Sequence, residues 1–330
     1  MAVAALRACG LDPSFIVGGE LTDLNTGAHL GDRETLLLEA DEAFGTFRHL
    51  EIAALGVTNI EADHLDYYRT VTALEEAFAQ VAQRTRGPVV GCIDDPGVRR
   101  LAERAPVIGY GMSEDAVWRV SDVDLGSTTS FTIGRNGHAH RVSLHQPGHH
   151  AVMNAAGVLA LLGELDYDLE CAIDGLRDFG GVRRRFEVKA RIGGVTIIDD
   201  YAHHPTEVAA TVEAARTITN GRVWVVFQPH RFTRTAGLAP AFGGPLSLAD
   251  RVVVTDIYSA GEQPQPGVSG RLVAEAVRAG GGDVEYIGRL ADVPERIAHE
   301  LSAGDTLILM GAGDVATIWT DVGDLIGDEL

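Results

Sequence analysis

Asp199-Asp200-Tyr201-Ala202-His203-His204-Pro205-Thr206-Glu207 is the stretch that decides how this chain is read. Ahead of it, Gly194-Val195-Thr196-Ile197-Ile198 is a short β-branched apolar run, the pattern of a buried strand. Behind it, Val208 to Arg216 is rich in alanine and valine and reads as a helix. Pro205 suits the first helical turn, where its missing N–H costs nothing. One strand-to-helix turn therefore holds two carboxylates, a phenol and two imidazoles. In open α/β sheets such turns, at the carboxyl ends of strands, face the ligand crevice. The plain alternative has Asp199 and Asp200 capping the helix and both histidines solvated. Five polar groups in six residues, 199–204, favour a site.

Working outward, strand and helix patterns alternate after Gly180-Gly181. Strands fall at 194–198, 222–227, 251–255, 284–287 and 305–310, with helices from 205, at 270–279, 291–301 and 314–326. That alternation predicts a doubly wound parallel α/β domain over 182–330. Residues 1–181 read as a second α/β unit. It opens on a helix, Met1 to Cys9, stopped by Gly10. Strands follow at Ser14–Val17, Glu34–Glu39 and Ala53–Thr58, then an amphipathic helix at Val71–Arg84 and strands at 88–93 and 106–110. Alternation from Trp118 to Leu144, with Asn136-Gly137 as a hairpin turn, precedes helices at 148–162 and 169–177.

Composition narrows the function. With 330 residues, 45% hydrophobic and 22% charged, the chain is ordinary globular protein large enough for two domains. Its net charge of −20 disfavours nucleic acid and anionic membrane surfaces as partners. An anionic ligand must then be met by clustered arginines or helix N-termini. No apolar run approaches the roughly eighteen residues of a membrane span, so no membrane insertion is expected. Cys9, Cys92 and Cys171 are odd in number and lack CxxC spacing; free buried thiols and a cytoplasmic location are the expectation.

Several other stretches carry chemistry. Glu39-Ala40-Asp41-Glu42 and Asn59-Ile60-Glu61-Ala62-Asp63-His64 each end an apolar strand, which puts hard ligands at the carboxyl edge of a parallel sheet, where Mg²⁺ could sit beside phosphates. Acidic loops are also commonly just solvated. His150 and Asn154 share one helix face, suited either to a base edge or to a polar packing contact. Arg183-Arg184-Arg185-Phe186 lies at the junction and would grip phosphate bidentately. Gln228-Pro229-His230-Arg231-Phe232-Thr233-Arg234-Thr235 puts two guanidiniums into one loop, fit for a carboxylate or phosphate. Gly311-Ala312-Gly313-Asp314-Val315-Ala316 matches G-x-G-x-x-A but lacks the following βαβ unit, so a turn admitting a ligand to its backbone amides is the better reading.

Together these stretches, with Pro147-Gly148 and Tyr258-Ser259-Ala260-Gly261-Glu262, resemble the Mur ligases, ATP-dependent amide-forming enzymes of peptidoglycan synthesis. The resemblance is strongest to the alanine-adding branch and extends over essentially the whole chain. It implies a central ATP-binding domain over 1–181 and a C-terminal Rossmann-like domain over 182–330. It implies ATP and Mg²⁺ as cofactors, with UDP-N-acetylmuramate and L-alanine as substrates joined through an acyl phosphate. By matching positions, Glu39 and His64 are the metal-linked residues, and His150 and Asn154 contact the nucleotide. Arg184 and Asp199 handle nucleotide and phosphate. Tyr201, His203, Arg231 and Arg234 hold the amino acid and the muramyl group, and Glu39, His64, Arg184, Asp199 and His203 form the catalytic set.

The chain departs from the family pattern in two places. Ala151 stands where many members have asparagine. The UDP-binding domain and the G-x-x-x-x-G-K-[ST] phosphate loop are not in these 330 residues, and Lys189, the sole lysine, has no glycine loop. Met1 then reads as an internal start, and the expectation is a ligase fragment inactive alone, with a non-catalytic nucleotide- or muramyl-peptide-binding remnant as the rival.

Overall fold

The computed structural model describes residues 1–126 and 128–328 and divides the chain into two compact units, Met1–Gly181 and Val182–Leu330. The first unit begins with α1 (Ala2–Ala8), β1 (Pro13–Leu21), β2 (Thr26–His29) and β3 (Asp32–Leu38). It continues with β4 (Leu55–Val57), α2 (Leu65–Tyr68), α3 (Val71–Arg84), β5 (Val89–Cys92), α4 (Pro96–Ala102) and β6 (Ile108–Gly111). The antiparallel run β7 (Trp118–Leu125), β8 (Thr129–Arg135) and β9 (His138–Leu144) follows, then α5 (His149–Glu164) and α6 (Leu169–Arg177). Strands β4 to β9 form a six-stranded sheet in sequence order, parallel through β7 and antiparallel beyond it. The Asn136-Gly137 turn has both residues at positive φ, as the hairpin between β8 and β9 demands.

One expectation needs correcting. The strands carrying Glu39 and His64 do not share a sheet: β1, β2 and β3 make a separate three-stranded sheet, and only β4 joins the larger one. A strand pattern fixes the element but not its partner, and β1 pairs with β3 in parallel at Phe15–Leu37. The cysteines need correcting too. Cys9, at the end of α1, is joined to Cys171 of α6 in a disulfide across a Cα separation of 5.1 Å; Cys92 alone is free and buried. The α1–α6 packing that brings the two sulfurs together spans 162 residues of sequence, which spacing rules do not see. The cysteines therefore give no support to a reducing compartment.

The second unit runs β10 (Glu187–Ile192), β11 (Val195–Asp200), α7 (Pro205–Ile218), β12 (Val223–Phe227), α8 (Phe232–Leu238), α9 (Gly243–Leu246) and β13 (Arg251–Val254). It closes with α10 (Arg271–Ala279), β14 (Val284–Tyr286), α11 (Val293–Ala298), β15 (Thr306–Met310) and α12 (Trp319–Asp328). The sheet order is β10-β11-β15-β12-β13-β14, all parallel except β10. The central strands β12 and β15 are buried at every position, as runs covered on both faces must be. One face packs Val212, Phe227 and Val273; the other packs Trp224, Leu309 and Val322. Among the described residues, no helix is long and apolar enough to cross a membrane.

Candidate functional site

Parallel order puts the carboxyl ends of β11, β15, β12 and β13 side by side, and the turns leaving them build the richest cluster in the second unit. Asp200, 5% exposed, accepts from the Phe186 N–H (2.8 Å), the Ala202 N–H (2.8 Å) and the Thr211 hydroxyl (3.2 Å). It braces the turn from inside rather than capping α7. That helix is capped instead by Glu207, whose Oε2 takes the N–H groups of His203 (3.0 Å) and His204 (3.1 Å), with Pro205 in the first turn as its fixed φ allows. Burial works to raise the Glu207 pKa, yet these N–H groups with His203 and Arg185 outweigh it and hold the carboxyl below its ordinary value.

Arg184 ties the turn to the glycine loop. Its Nη2 donates to the carbonyls of Gly311 (2.8 Å) and Gly313 (3.1 Å), and its Nε lies 3.5 Å from Asp199. Burial raises the Asp199 pKa against the opposing pull of Arg184. The loop's carbonyls thus hold Arg184, while its Gly311 N–H donates to the Asp200 carbonyl (3.0 Å) and its Val315 N–H to Gln228 Oε1 (3.2 Å). Its glycines answer a steric need: a Cβ on Gly313 would stand 2.2 Å from Gln228 Oε1 and 2.6 Å from the Tyr258 ring.

From Arg184 a ladder of ring contacts crosses the cluster. Arg184 and Arg185 lie over Tyr201 at 5.0 and 5.4 Å; Tyr201 meets His203 edge-on at 5.2 Å; His203 meets His230 at 5.7 Å; His230 stacks on Tyr258 at 5.8 Å. His203 Nδ1 faces the Tyr201 carbonyl (2.9 Å) and Glu207 (3.4 Å), both acceptors, so it carries the proton. Burial pushes the His203 pKa down despite Glu207, so the neutral ring leaves a lone pair on Nε2. His230 is pushed down to about 4, first by burial, with the guanidiniums of Arg234 and Arg231 adding positive charge nearby.

Arg231 sits at φ 65°, a strained conformation for a side-chain-bearing residue. Its N–H donates to the Tyr258 carbonyl (2.9 Å), its carbonyl accepts from the Thr235 hydroxyl (2.8 Å), and Glu262 takes the Thr233 N–H (3.0 Å) and hydroxyl (2.6 Å). The loop carrying Arg231 and Arg234 is over-determined, as a preorganised site requires. Tyr201, His203, Arg231, Arg234, Arg184 and Asp199 therefore gather in one place. His230, Tyr258 and Glu262, which lie in two of the quoted motifs but have no assigned role there, belong with them; the motifs follow β12 and β13, which are neighbours in the sheet.

The first unit carries the other candidates. His64 Nε2 lies 3.5 Å from Glu42, while Glu39 accepts the Gly18 N–H at 2.8 Å and makes no ion pair with His64. Among the described residues no three acidic, histidine or cysteine side chains converge as a metal cluster. Mg²⁺ nevertheless takes only one or two protein carboxylates, with waters and substrate phosphates completing its shell, and the carboxylates of Glu39 and Glu42 are each donors of that hard kind. His150 and Asn154 stand on the first turns of α5, Asn154 exposed and Ala151 buried at 1%.

Two family models match the chain, the Mur ligase middle domain over residues 37–162 and the Mur ligase glutamate ligase domain over 184–313. A UDP-N-acetylmuramate--L-alanine ligase of Kineococcus radiotolerans is 43% identical over 336 residues, covering 99% of this chain and 71% of its own length. The one from Mycolicibacterium gilvum is 41% identical, with 98% and 70% covered. The crystal structure of the UDP-N-acetylmuramate-alanine ligase of Thermotoga maritima superposes with a TM-score of 0.83 at 25% identity, over all of this chain and 72% of that one. Matched in sequence across both units and alike in fold, the chain belongs to the Mur ligase family.

Proposed function

We propose that this chain carries the alanine-adding part of an ATP-driven ligase that joins L-alanine to UDP-N-acetylmuramate, and that its 330 residues, which contain no phosphate loop, do not turn over alone. Its curated relatives carry that activity in their names, and the cluster on the second unit has the chemistry for the amide-forming half. The muramyl carboxylate takes the terminal phosphoryl group of ATP and ADP leaves. The alanine amine then attacks the acyl phosphate; the C–N bond forms as the C–O bond to phosphate breaks, and inorganic phosphate departs. His203, neutral and fixed in tautomer, accepts the amine's proton on Nε2. Arg231 and Arg234 take the alanine carboxylate, and Tyr201 forms the wall beside the muramyl group. Arg184, with its side chain 32% exposed, meets nucleotide phosphate and the buried Asp199 holds it from behind, while His150 and Asn154 receive the base. Glu39 and His64 would hold Mg²⁺, which when bound would neutralise charge during phosphoryl transfer.

The observation that carries this reading is the proton-accepting His203 set in one ladder with a rigid two-arginine loop. The 330 residues contain no phosphate loop, so the test is made in a polypeptide that supplies one. There Arg231→Ala and Arg234→Ala raise the KM for L-alanine at least about tenfold, from loss of a charge-assisted contact, with the KM for ATP moving less than about twofold. A rise in the ATP value with alanine untouched refutes the assignment.

A further inference from the structure

The first unit contains a concavity lined by none of the residues assigned to the ligase reaction. It has a volume of about 440 Å³ and is lined by Gly45, Arg48, His49, Tyr67, Gln80, Gln83 and Arg84. Gly45 (φ 67°) leaves room for Tyr67, whose hydroxyl would lie 3.0 Å from a Cβ there.

The two arginines are held in place by neutral acceptors. Arg48 Nη2 donates to Gln80 Oε1 (2.9 Å); Arg84 donates through Nη2 to the Arg48 carbonyl (2.6 Å) and through Nε to the Gln80 carbonyl (3.2 Å). No carboxylate lines the cavity, and among the described residues neither arginine has an ion pair. The neighbouring acids pair with other arginines, Glu51 with Arg86, Glu75 with Arg100 and Glu76 with Arg104, and Glu76 also accepts from the Gln80 amide (3.2 Å). Two guanidiniums without a direct ion pair therefore line one cavity in a chain of net charge −20.

We infer that this cavity binds a phosphorylated small molecule. Guanidinium forks match phosphate oxygens bidentately, and Gln83 and His49 add polar partners at the same wall. A single phosphate ion leaves much of the space unfilled; a diphosphate or a nucleotide, with its base against Tyr67, fits the volume class of small-molecule sites.

The test is isothermal titration of the 330-residue protein with inorganic pyrophosphate at low ionic strength. It is paired with phenylglyoxal labelling of the unsubstituted protein, read by peptide mass spectrometry. Pyrophosphate binding that shields Arg48 and Arg84 from labelling, and that weakens at least about tenfold in Arg48→Gln/Arg84→Gln, supports the site. An arm with ADP separates the sources: tighter binding that Tyr67→Ala abolishes assigns a nucleotide, and equal binding assigns free diphosphate. No binding of pyrophosphate, or binding that leaves both arginines labelled and is indifferent to the double substitution, overturns the inference.

Discussion

Replacing Asp200 by alanine probes the brace on which the second unit's cluster stands. The carboxylate is 5% exposed and takes three donors, two backbone N–H groups at 2.8 Å and the Thr211 hydroxyl at 3.2 Å. Hydrogen bonds to a charged group contribute about 1.5–3 kcal/mol each, and their sum is not additive. Against them stands the cost of burying the charge, which raises the Asp200 pKa above its ordinary value. The balance is a destabilisation of about 3 kcal/mol, because Ala202 and Thr211 are buried at 1% and 5% and no water reaches the stranded donors. For a unit of roughly 150 residues that lowers the melting temperature by about 6–12 °C. Differential scanning calorimetry reads the shift, with Asp200→Asn as the milder companion that keeps an acceptor toward Ala202. A shift below about 2 °C in the alanine variant would refute the brace.

Two further outcomes are expected. His230 has a folded pKa of about 4, below its unfolded value, so the unfolded chain binds more protons between these limits. Its contribution to stability is present above about pH 6.5 and is lost as pH falls toward 4, on the order of 2–3 kcal/mol. Urea melts across that window should show the loss in the parent and a flatter profile in His230→Gln; parallel profiles would contradict it. The boundary at Gly181–Val182 predicts that limited proteolysis cuts first between 178 and 192 and releases a stable C-terminal piece. First cleavage deep inside either unit would count against two separable domains.

The parts of the fold legible in the sequence were those whose pattern is local. Val71–Arg84 is a helix with those bounds because Thr70 caps it by accepting from the Ala73 N–H, and β12 is a strand because Val223–Phe227 is apolar throughout. What escaped depends on partners far away. Glu187–Ile192 alternates charged and apolar residues and becomes a strand only by pairing antiparallel with β11, leaving Val188 42% exposed. Gln228–Thr235 reads as one loop, yet a helix begins inside it at Phe232, where Glu262 takes the Thr233 N–H and hydroxyl. In the site, the motif residues of the 199–207 turn and the 228–235 loop were visible as chemistry. That His203 meets His230, and His230 meets Tyr258, follows from strand order, which no local spacing encodes.

The central claim is that the cluster around His203, Arg231 and Arg234 selects L-alanine for attachment to a muramyl carboxylate. The most direct measurement is product formation from UDP-N-acetylmuramate, ATP and Mg²⁺ with single amino acids offered one at a time. The chain is joined in frame to the part of the Kineococcus relative that it does not cover, and products are identified by mass spectrometry. The account predicts UDP-N-acetylmuramoyl-L-alanine from L-alanine, with phosphate release in step, and little product from D-alanine or D-glutamate. Equal product from another amino acid, or phosphate release that does not depend on L-alanine, would contradict it.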